Sequence, residues 1–362
     1  MHKRYSVMVV DDSAFMRKMI SDLINEDPQF TVICTAFNGK DALEKLRLHR
    51  PDCITMDIEM PEMDGLQTLK HIMQNDPIPV LMLSGKTGPG AKATILALEA
   101  GAIDFVLKPS GAISLDIHHI RKTLIDKLHV CVRTKLKWQP PITNSPLAVL
   151  NAEAAPKQNK KMFSQLVAIG TSTGGPKALQ NVVARLPKDF PAPILIVQHM
   201  PPNFTRSLAQ RLDQLAQIRV KEAVHGEELK AGVAYIAPGG MHMRLTKSGA
   251  KTYTIALGDD DPVNGHRPSV DELFTSLVPY TDLIRHAILM TGMGSDGAKG
   301  MKALRDSGAV TTIAEAEQTA IVYGMPRAAI ELQCVTDIVP LEFIAATLVK
   351  KVSKMERHDG DL

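Results

Sequence analysis

The sequence predicts an α/β protein of two doubly wound parallel-sheet domains, the second carrying an added β-hairpin. Three observations predict it. Short apolar, β-branched runs alternate with segments of helical spacing in both halves of the chain, the pattern of repeated βα units on a parallel sheet. A polar, proline-bearing stretch with excess positive charge separates the halves. The length, 362 residues, suits about two domains of ordinary size.

The elements follow in order. YSVMVV (5–10) is a strand ending at Asp11 and Asp12, and AFMRKMISDLIN (14–25) has helical spacing. FTVICTAF reads as a strand, GKDALEKLRLH as a helix, and DCITMD, PVLMLS and DFVLK as further strands. Between Trp138 and Lys161, Pro140, Pro141, Pro146 and Pro156 interrupt a run with no sustained apolar face. Each proline removes a backbone donor and pushes the residue before it away from helix. The second half opens with LVAIG and a helix from Pro176, then PILIVQHM and a helix through Arg211. GVAYIAPGGMHMRLTKSGAKTYTIAL reads as turns and a hairpin, and HAILMTG precedes a helix from Asp296. The expected units are a domain over 1–130, a linker over 131–163, a domain over 164–350 and a charged, flexible tail over 351–362.

Composition narrows the function classes. Hydrophobic residues make up 44% and charged residues 22%, ordinary for a soluble globular protein. No apolar stretch reaches the roughly 18 residues of a membrane span, and the opening MHKRYSVMVVDD is not expected to be a secretory signal. Cys34, Cys53, Cys131 and Cys334 form no CxxC pair, so neither a zinc site nor a disulfide framework is expected and a cytoplasmic location fits. The net charge of +3 is local: residues 131–165 hold six Lys+Arg against one Asp+Glu, whereas residues 166–350 hold 18 of each. A nucleic-acid-binding domain concentrates basic charge on its own surface, so no nucleic-acid partner is expected.

In open parallel sheets functional groups gather at the carboxyl ends of strands. Asp11, Asp12, Asp57, Ser84 and Lys108 all fall at such ends. Three close carboxylates call for a cation; their oxygens suit Mg²⁺, and a metal with Lys108 could neutralise a phosphoryl group on Asp57. VVDDS (9–13), MDIEMPEMDGL (56–66), LS (83–84) and FVLKP (105–109) resemble the receiver domain of bacterial response regulators. The resemblance implies that Asp57 is the phosphoacceptor. It implies Mg²⁺ held by Asp12, Asp57 and the Glu59 carbonyl, with Asp11 acting through water. It also implies Ser84 and Lys108 as phosphoryl sensors, Phe105 as the switch aromatic and a cis Lys108–Pro109 bond.

The second half carries a different chemistry. GTSTGGP (170–176) contains G-x-S-x-G after a strand, with Pro176 suited to the first helical turn. Serine needs a base. His199 ends the next buried-looking strand, and Asp296 stands at a third strand-to-helix junction. A Ser172–His199–Asp296 triad is therefore plausible. Its chain order differs from the Ser…Asp/Glu…His order of α/β-hydrolases. IGTSTGGP (169–176), QHMP (198–201), AYIAPGGMHM (234–243), RPSVDELF (267–274) and TGMGSDGAKGM (291–301) resemble the catalytic domain of chemotaxis protein-glutamate methylesterases.

That resemblance implies Ser172 as nucleophile on receptor glutamate methyl esters, His199 as base, Asp296 as its orienter, and the Met293 amide as oxyanion donor with Thr173 assisting. It implies phosphorylation-controlled methanol release, accompanying glutamine deamidation, and no metal for hydrolysis. The implied partners are methyl-accepting chemotaxis receptors, met peripherally at the membrane without insertion, and a chemotaxis histidine kinase. His242 and the acids Asp259–Asp261 read as structural or surface residues. A transcriptional response regulator or a catalytically silent adaptor of the same fold are the competing readings.

Overall fold

In the computed structural model, the described residues are 4–85, 88–108, 116–134, 163–249 and 252–359. The expected linker, apart from its first few residues and Phe163, and the Lys108–Pro109 bond lie outside them. The first domain contains β1 (Tyr5–Val10), α1 (Ala14–Asn25), β2 (Phe30–Ala36), α2 (Gly39–Leu46), β3 (Cys53–Asp57), α3 (Gly65–Asn75), β4 (Val80–Ser84), α4 (Gly88–Glu99), β5 (Asp104–Leu107) and α5 (Asp116–Arg133). Its five strands are parallel in the order β2-β1-β3-β4-β5. Alternation along the strands divides the core: Val7, Val9, Leu81 and Leu83 join Ile20, Leu124 and Leu128 on one face, while Met8, Val10, Ile54, Met56 and Met82 join Leu69, Ile72 and Ile95 on the other. Helix ends are fixed locally: Asp64 and Gln67 close a capping box on α3.

The second domain contains β6 (Gln165–Thr171), α6 (Gly175–Val183), β7 (Ile194–Gln198), α7 (Phe204–Leu215), β8 (Arg219–Glu222), β9 (Val233–Ile236), β10 (His242–Lys247), β11 (Tyr253–Gly258), α8 (Val270–Ser276), β12 (Ile284–Leu289), α9 (Ala298–Asp306), β13 (Thr311–Glu315), α10 (Met325–Glu331), β14 (Asp337–Val339) and α11 (Leu341–Asp359). Seven parallel strands run β14-β13-β12-β6-β7-β9-β8, beside the antiparallel β10-β11 hairpin. Leu179, Val182, Leu208 and Leu348 cover one face of this sheet, and Met243, Leu273, Phe274 and Met301 cover the other. VAYI, grouped in sequence with the hairpin, instead enters the main sheet as β9, because its neighbours β7 and β8 offer parallel edges.

The expected flexible tail is corrected. Helix α11 continues through Asp359; Val352 is fully buried, its carbonyl accepts from Gln165 Nε2, and Lys351 pairs with Asp337 at 2.8 Å. Charge on the outer face of an amphipathic helix reads like a polar tail. Helix α5 likewise continues to Arg133, past the expected boundary at 130.

The two domains touch along the α4 side of the first. Phe105 stacks on Phe204 with centroids 4.7 Å apart, Arg211 forks onto Glu99 at 2.8 and 3.1 Å, and one apolar cluster runs through both domains.

One buried histidine gives the second domain a pH-dependent stability. His286, on β12, is fully buried against Gln165 Oε1. Burial, with a smaller contribution from Lys351, pushes its pKa down to about 4. The unfolded chain takes up that proton near pH 6.5, so the stability is intact above 6.5 and drains away as pH falls towards 4. The loss should reach about 2 kcal/mol by pH 5, visible as a falling urea midpoint between pH 7.5 and 5. His286→Gln should reduce that dependence, leaving the part due to His266, which is depressed to the same degree; an unchanged slope would exclude His286 as a source.

Candidate active site and candidate phosphoacceptor site

Strand β6 lies between β7 and β12, and the helices that follow β6 and β12 leave towards opposite faces of the sheet. Such a divergence opens a crevice at the strand ends. Ser172, His199 and Asp296 stand there. The register is tight: His199 N–H donates to Thr171 O at 3.2 Å and Ser172 N–H to Thr291 O at 3.0 Å. Gln198 Nε2 donates to the Ser172 carbonyl at 3.0 Å. Gly174 closes the serine turn with φ +78, and a Cβ there would also meet Ile321 at 2.7 Å, so glycine is required twice over. At Gly292 a Cβ would come within 2.8 Å of Ser172 Cβ and 2.1 Å of Met325 Sδ.

Asp296 holds the ring. Its Oδ2 lies 2.8 Å from His199 Nε2 and accepts the Val270 amide at 2.7 Å. Oδ1 accepts Ser269 Oγ at 2.8 Å and the Asp271 amide at 3.1 Å. Burial would raise this carboxyl, but the His199 bond and charge and the amides at the start of α8 outweigh it and hold the pKa far below the usual range. Asp296 is thus anionic, and with Nε2 committed to it, Nδ1 is the ring nitrogen left to act as base. Nδ1 is buried with no hydrogen-bond partner, and among the described residues no hydrogen bond joins it to the Ser172 hydroxyl. The base–orienter half of the relay is formed at rest; the serine half is open, as is common before substrate binds.

The Met293 amide makes no hydrogen bond among the described residues, which leaves it able to face an oxyanion. Thr173 is engaged differently. Its Oγ1 donates to Asp104 Oδ2 of the first domain at 2.5 Å. Asp104 Oδ1 also pairs with Lys127 at 2.9 Å and accepts the Phe105 amide.

Two groups around this site, His266 and the Asp104–Lys127 pair, were not found in sequence, and a third, His242, reads there as structural or surface. His266 stacks on His199 with centroids 3.8 Å apart and planes 9° apart; burial, reinforced by His199, pushes its pKa down to about 4, so it is neutral near pH 7. His242, read as structural or surface, is fully buried: its Nδ1 accepts the Ser269 amide and its ring faces the Asp261 carbonyl, which fixes the residue that holds Asp296. Asp104 and Lys127 complete the set. His266, Asp104 and Lys127 lie in none of the quoted motifs, and His242 lies in AYIAPGGMHM but reads there as structural or surface; they converge only through tertiary packing.

At the first domain's strand ends, ligand oxygens of Asp11, Asp12 and Asp57 lie within 4.8 Å of one another. Lys108 Nζ is 2.7 Å from both Asp11 and Asp57. Burial pushes the Asp57 carboxyl up to about 6, against the opposing pull of Lys108. The Lys108 ammonium gains from those two acids more than burial takes away, and its pKa rises. Ser84 is buried and its Oγ meets Thr94 Oγ1 of α4 at 2.7 Å. Glu59 is exposed beside the acids, and Phe105 is buried against Phe204.

Comparison with known proteins agrees with this division. Residues 7–118 match the response regulator receiver domain and residues 167–348 match CheB methylesterase. A protein-glutamate methylesterase/protein-glutamine glutaminase of Halalkalibacterium halodurans is 47% identical over 98% of this chain and 100% of its own length. A protein of the same description from Bacillus subtilis is 46% identical over 96% of this chain and 98% of its own. The crystal structure of the Thermotoga maritima CheB methylesterase catalytic domain is 42% identical with a TM-score of 0.50, covering 52% of this chain and 98% of that one. With a receiver domain ahead of an esterase domain along a shared length, the chain belongs to the CheB methylesterase family.

Proposed function

We propose that the chain is a phosphorylation-activated protein-glutamate methylesterase that acts on methyl-accepting chemotaxis receptors and also deamidates receptor glutamines. The observation that carries it is the anionic Asp296 bonded to His199 beside Ser172, at the switch point of the second sheet. In this reading Ser172 Oγ attacks the γ-carbonyl carbon of a glutamate methyl ester while His199 Nδ1 takes its proton. The Met293 amide, with Thr173 supporting the turn, stabilises the oxyanion. The imidazolium, held by Asp296, returns the proton to the departing methoxide, which leaves as methanol. Water then repeats the sequence on the acyl-enzyme and frees the glutamate. An amide passes through the same intermediate and releases ammonia.

The receiver supplies control. Asp57 accepts a phosphoryl group from a chemotaxis histidine kinase. Asp12, Asp57 and the Glu59 carbonyl, with Asp11 behind them, are the groups that would hold Mg²⁺; the cluster of acidic oxygens suits that hard ion. When bound, the ion neutralises phosphoryl charge. Ser84 and Lys108 respond to that charge, and both elements they touch reach the domain contact: Thr94 lies on α4, and Phe105 and Asp104 lie on β5. We assign the receiver to 1–133, where α5 ends, and the esterase to 164–359, where α11 ends, with a cytoplasmic location and a peripheral encounter with receptors. Among the described residues no helix is long and apolar enough to cross a membrane. The second domain is a repeated-strand hydrolase fold, which disfavours the transcriptional reading.

The test is methanol release from methylated receptor, with and without a small phosphodonor; release that never exceeds a no-enzyme blank rejects the proposal. The resting contact adds a sharper prediction. Asp104→Asn should raise unphosphorylated activity about fivefold or more, within the ordinary range of coupling energies. A fragment beginning at Phe163 should show the same release from inhibition. Basal rates unchanged in both would rule out obstruction by the receiver.

A further inference from the structure

We propose that Glu315 is a positioning residue for hydrolysis, setting from the sheet core the turn that carries Ser172 and the Met293 amide. The inference rests on the methylesterase reading and deepens it. Glu315 is the last residue of β13 and is fully buried. No salt bridge reaches it among the described residues. A carboxyl in that setting is costly unless it satisfies something.

What it satisfies is the end of a ladder. Strands β12 and β13 pair through Leu289 and Ala314 and no further. Thr291, two residues beyond that last pair, has an amide for which the sheet offers no acceptor. Glu315 Oε2 accepts it at 2.8 Å, adding one rung with a side chain. Thr291 then fixes the site through three bonds made by two of its atoms. Its carbonyl accepts the Ser172 amide at 3.0 Å, and its Oγ1 donates to the Thr173 carbonyl at 2.9 Å and accepts the Val322 amide at 3.0 Å. Gly292 and Met293 follow directly. One buried carboxyl therefore anchors both the nucleophile turn and the oxyanion turn.

The surroundings keep that role a matter of hydrogen bonding. Oε1 is buried with no bonded partner; the nearby Thr319 hydroxyl donates instead to Ala316 O and accepts the Leu341 amide. Burial, with Glu342 adding to it, pushes the carboxyl up to about 7, against the Thr291 amide. The required property is an acceptor of the right length, which the neutral amide of glutamine also provides.

The test uses the full chain carrying Glu315→Ala, Glu315→Gln and Glu315→Asp. Steady-state methanol release from methylated receptor gives kcat and KM, and a fluorophosphonate probe gives the rate of Ser172 labelling. Displacement of a reacting group by about 1 Å can cost roughly 100-fold. Glu315→Ala should lower kcat by about 10- to 100-fold with KM within about twofold, and slow labelling in parallel, while Glu315→Gln stays within about threefold of wild type on both. If alanine does not fold, Glu315→Asp, one methylene too short, should show the same loss. A folded alanine or aspartate variant with unchanged kcat and labelling overturns the proposal, and so does a glutamine variant as impaired as either. Labelling needs no receptor, so a wild-type chain that labels but releases no methanol indicts the methylesterase reading and leaves this one to the labelling rates.

Discussion

Ser172→Ala should lower methanol release by about 10⁴-fold or more, the scale seen when a serine nucleophile is removed from a triad that acts as a unit. The fold should survive. Ser172 sits in a turn held by backbone bonds, through its amide to Thr291 O and its carbonyl to the Gly175 amide, and neither involves the hydroxyl. Binding of methylated receptor should persist, because the Met293 amide and the surrounding surface are untouched. Folded mutant protein that releases methanol at the wild-type rate would remove Ser172 from the mechanism. The double change with His199→Gln should cost little beyond the first, since a base without its nucleophile has nothing to activate.

Asp296→Asn carries the next largest expected effect, on the order of 10⁴-fold in kcat by analogy with other triads. The geometry explains why an isostere fails. All four partners of this carboxylate are donors in the resting state: Ser269 Oγ and the Asp271 amide on one oxygen, the Val270 amide and His199 Nε2 on the other. Whichever way the asparagine amide is turned, its NH₂ faces a backbone N–H. One orientation also turns the imidazole, placing its proton on the nitrogen that should accept from serine. Stability should fall as well, because a buried donor is left facing a donor. Nitrogen-15 chemical shifts of His199 check the tautomer: wild type should carry its proton on Nε2, and the mutant should not. A mutant within tenfold of wild-type kcat, or a wild-type ring protonated only on Nδ1, would remove Asp296 from this role.

Much of this was legible in sequence because the relevant signals were local. The strand over 5–10 and the helix over 14–25 coincide with β1 and α1: an apolar run and a 3.6-residue stripe are properties of adjacent residues. The residues proposed as the triad follow three strands whose apolar runs are unmistakable, so parallel topology alone brings them to one edge. What was hidden depends on the third dimension. Glu315 looks like one more acid after TTIA, and only the end of the β12–β13 ladder shows what it bonds. Asp104 reads as a strand-opening residue of the first domain, yet its carboxylate reaches Thr173 sixty-nine positions away. The charged stretch after 350 misled for a related reason. Charged side chains of both signs dominate its composition, while Val352, which sets its place, is a single buried side chain.

The bond from Asp104 to Thr173 implies an enzyme that idles rather than stops. The gate is narrow: that bond, the Phe105–Phe204 stack and the Arg211–Glu99 pair over a shared apolar patch. With a closed-state bias of about 1–3 kcal/mol, roughly one molecule in six to one in 160 would stand open without any signal. Ester groups would then be trimmed continuously at a low background rate, and whatever reaction installs them must outrun that leak for the chemoreceptors to hold a record of past conditions.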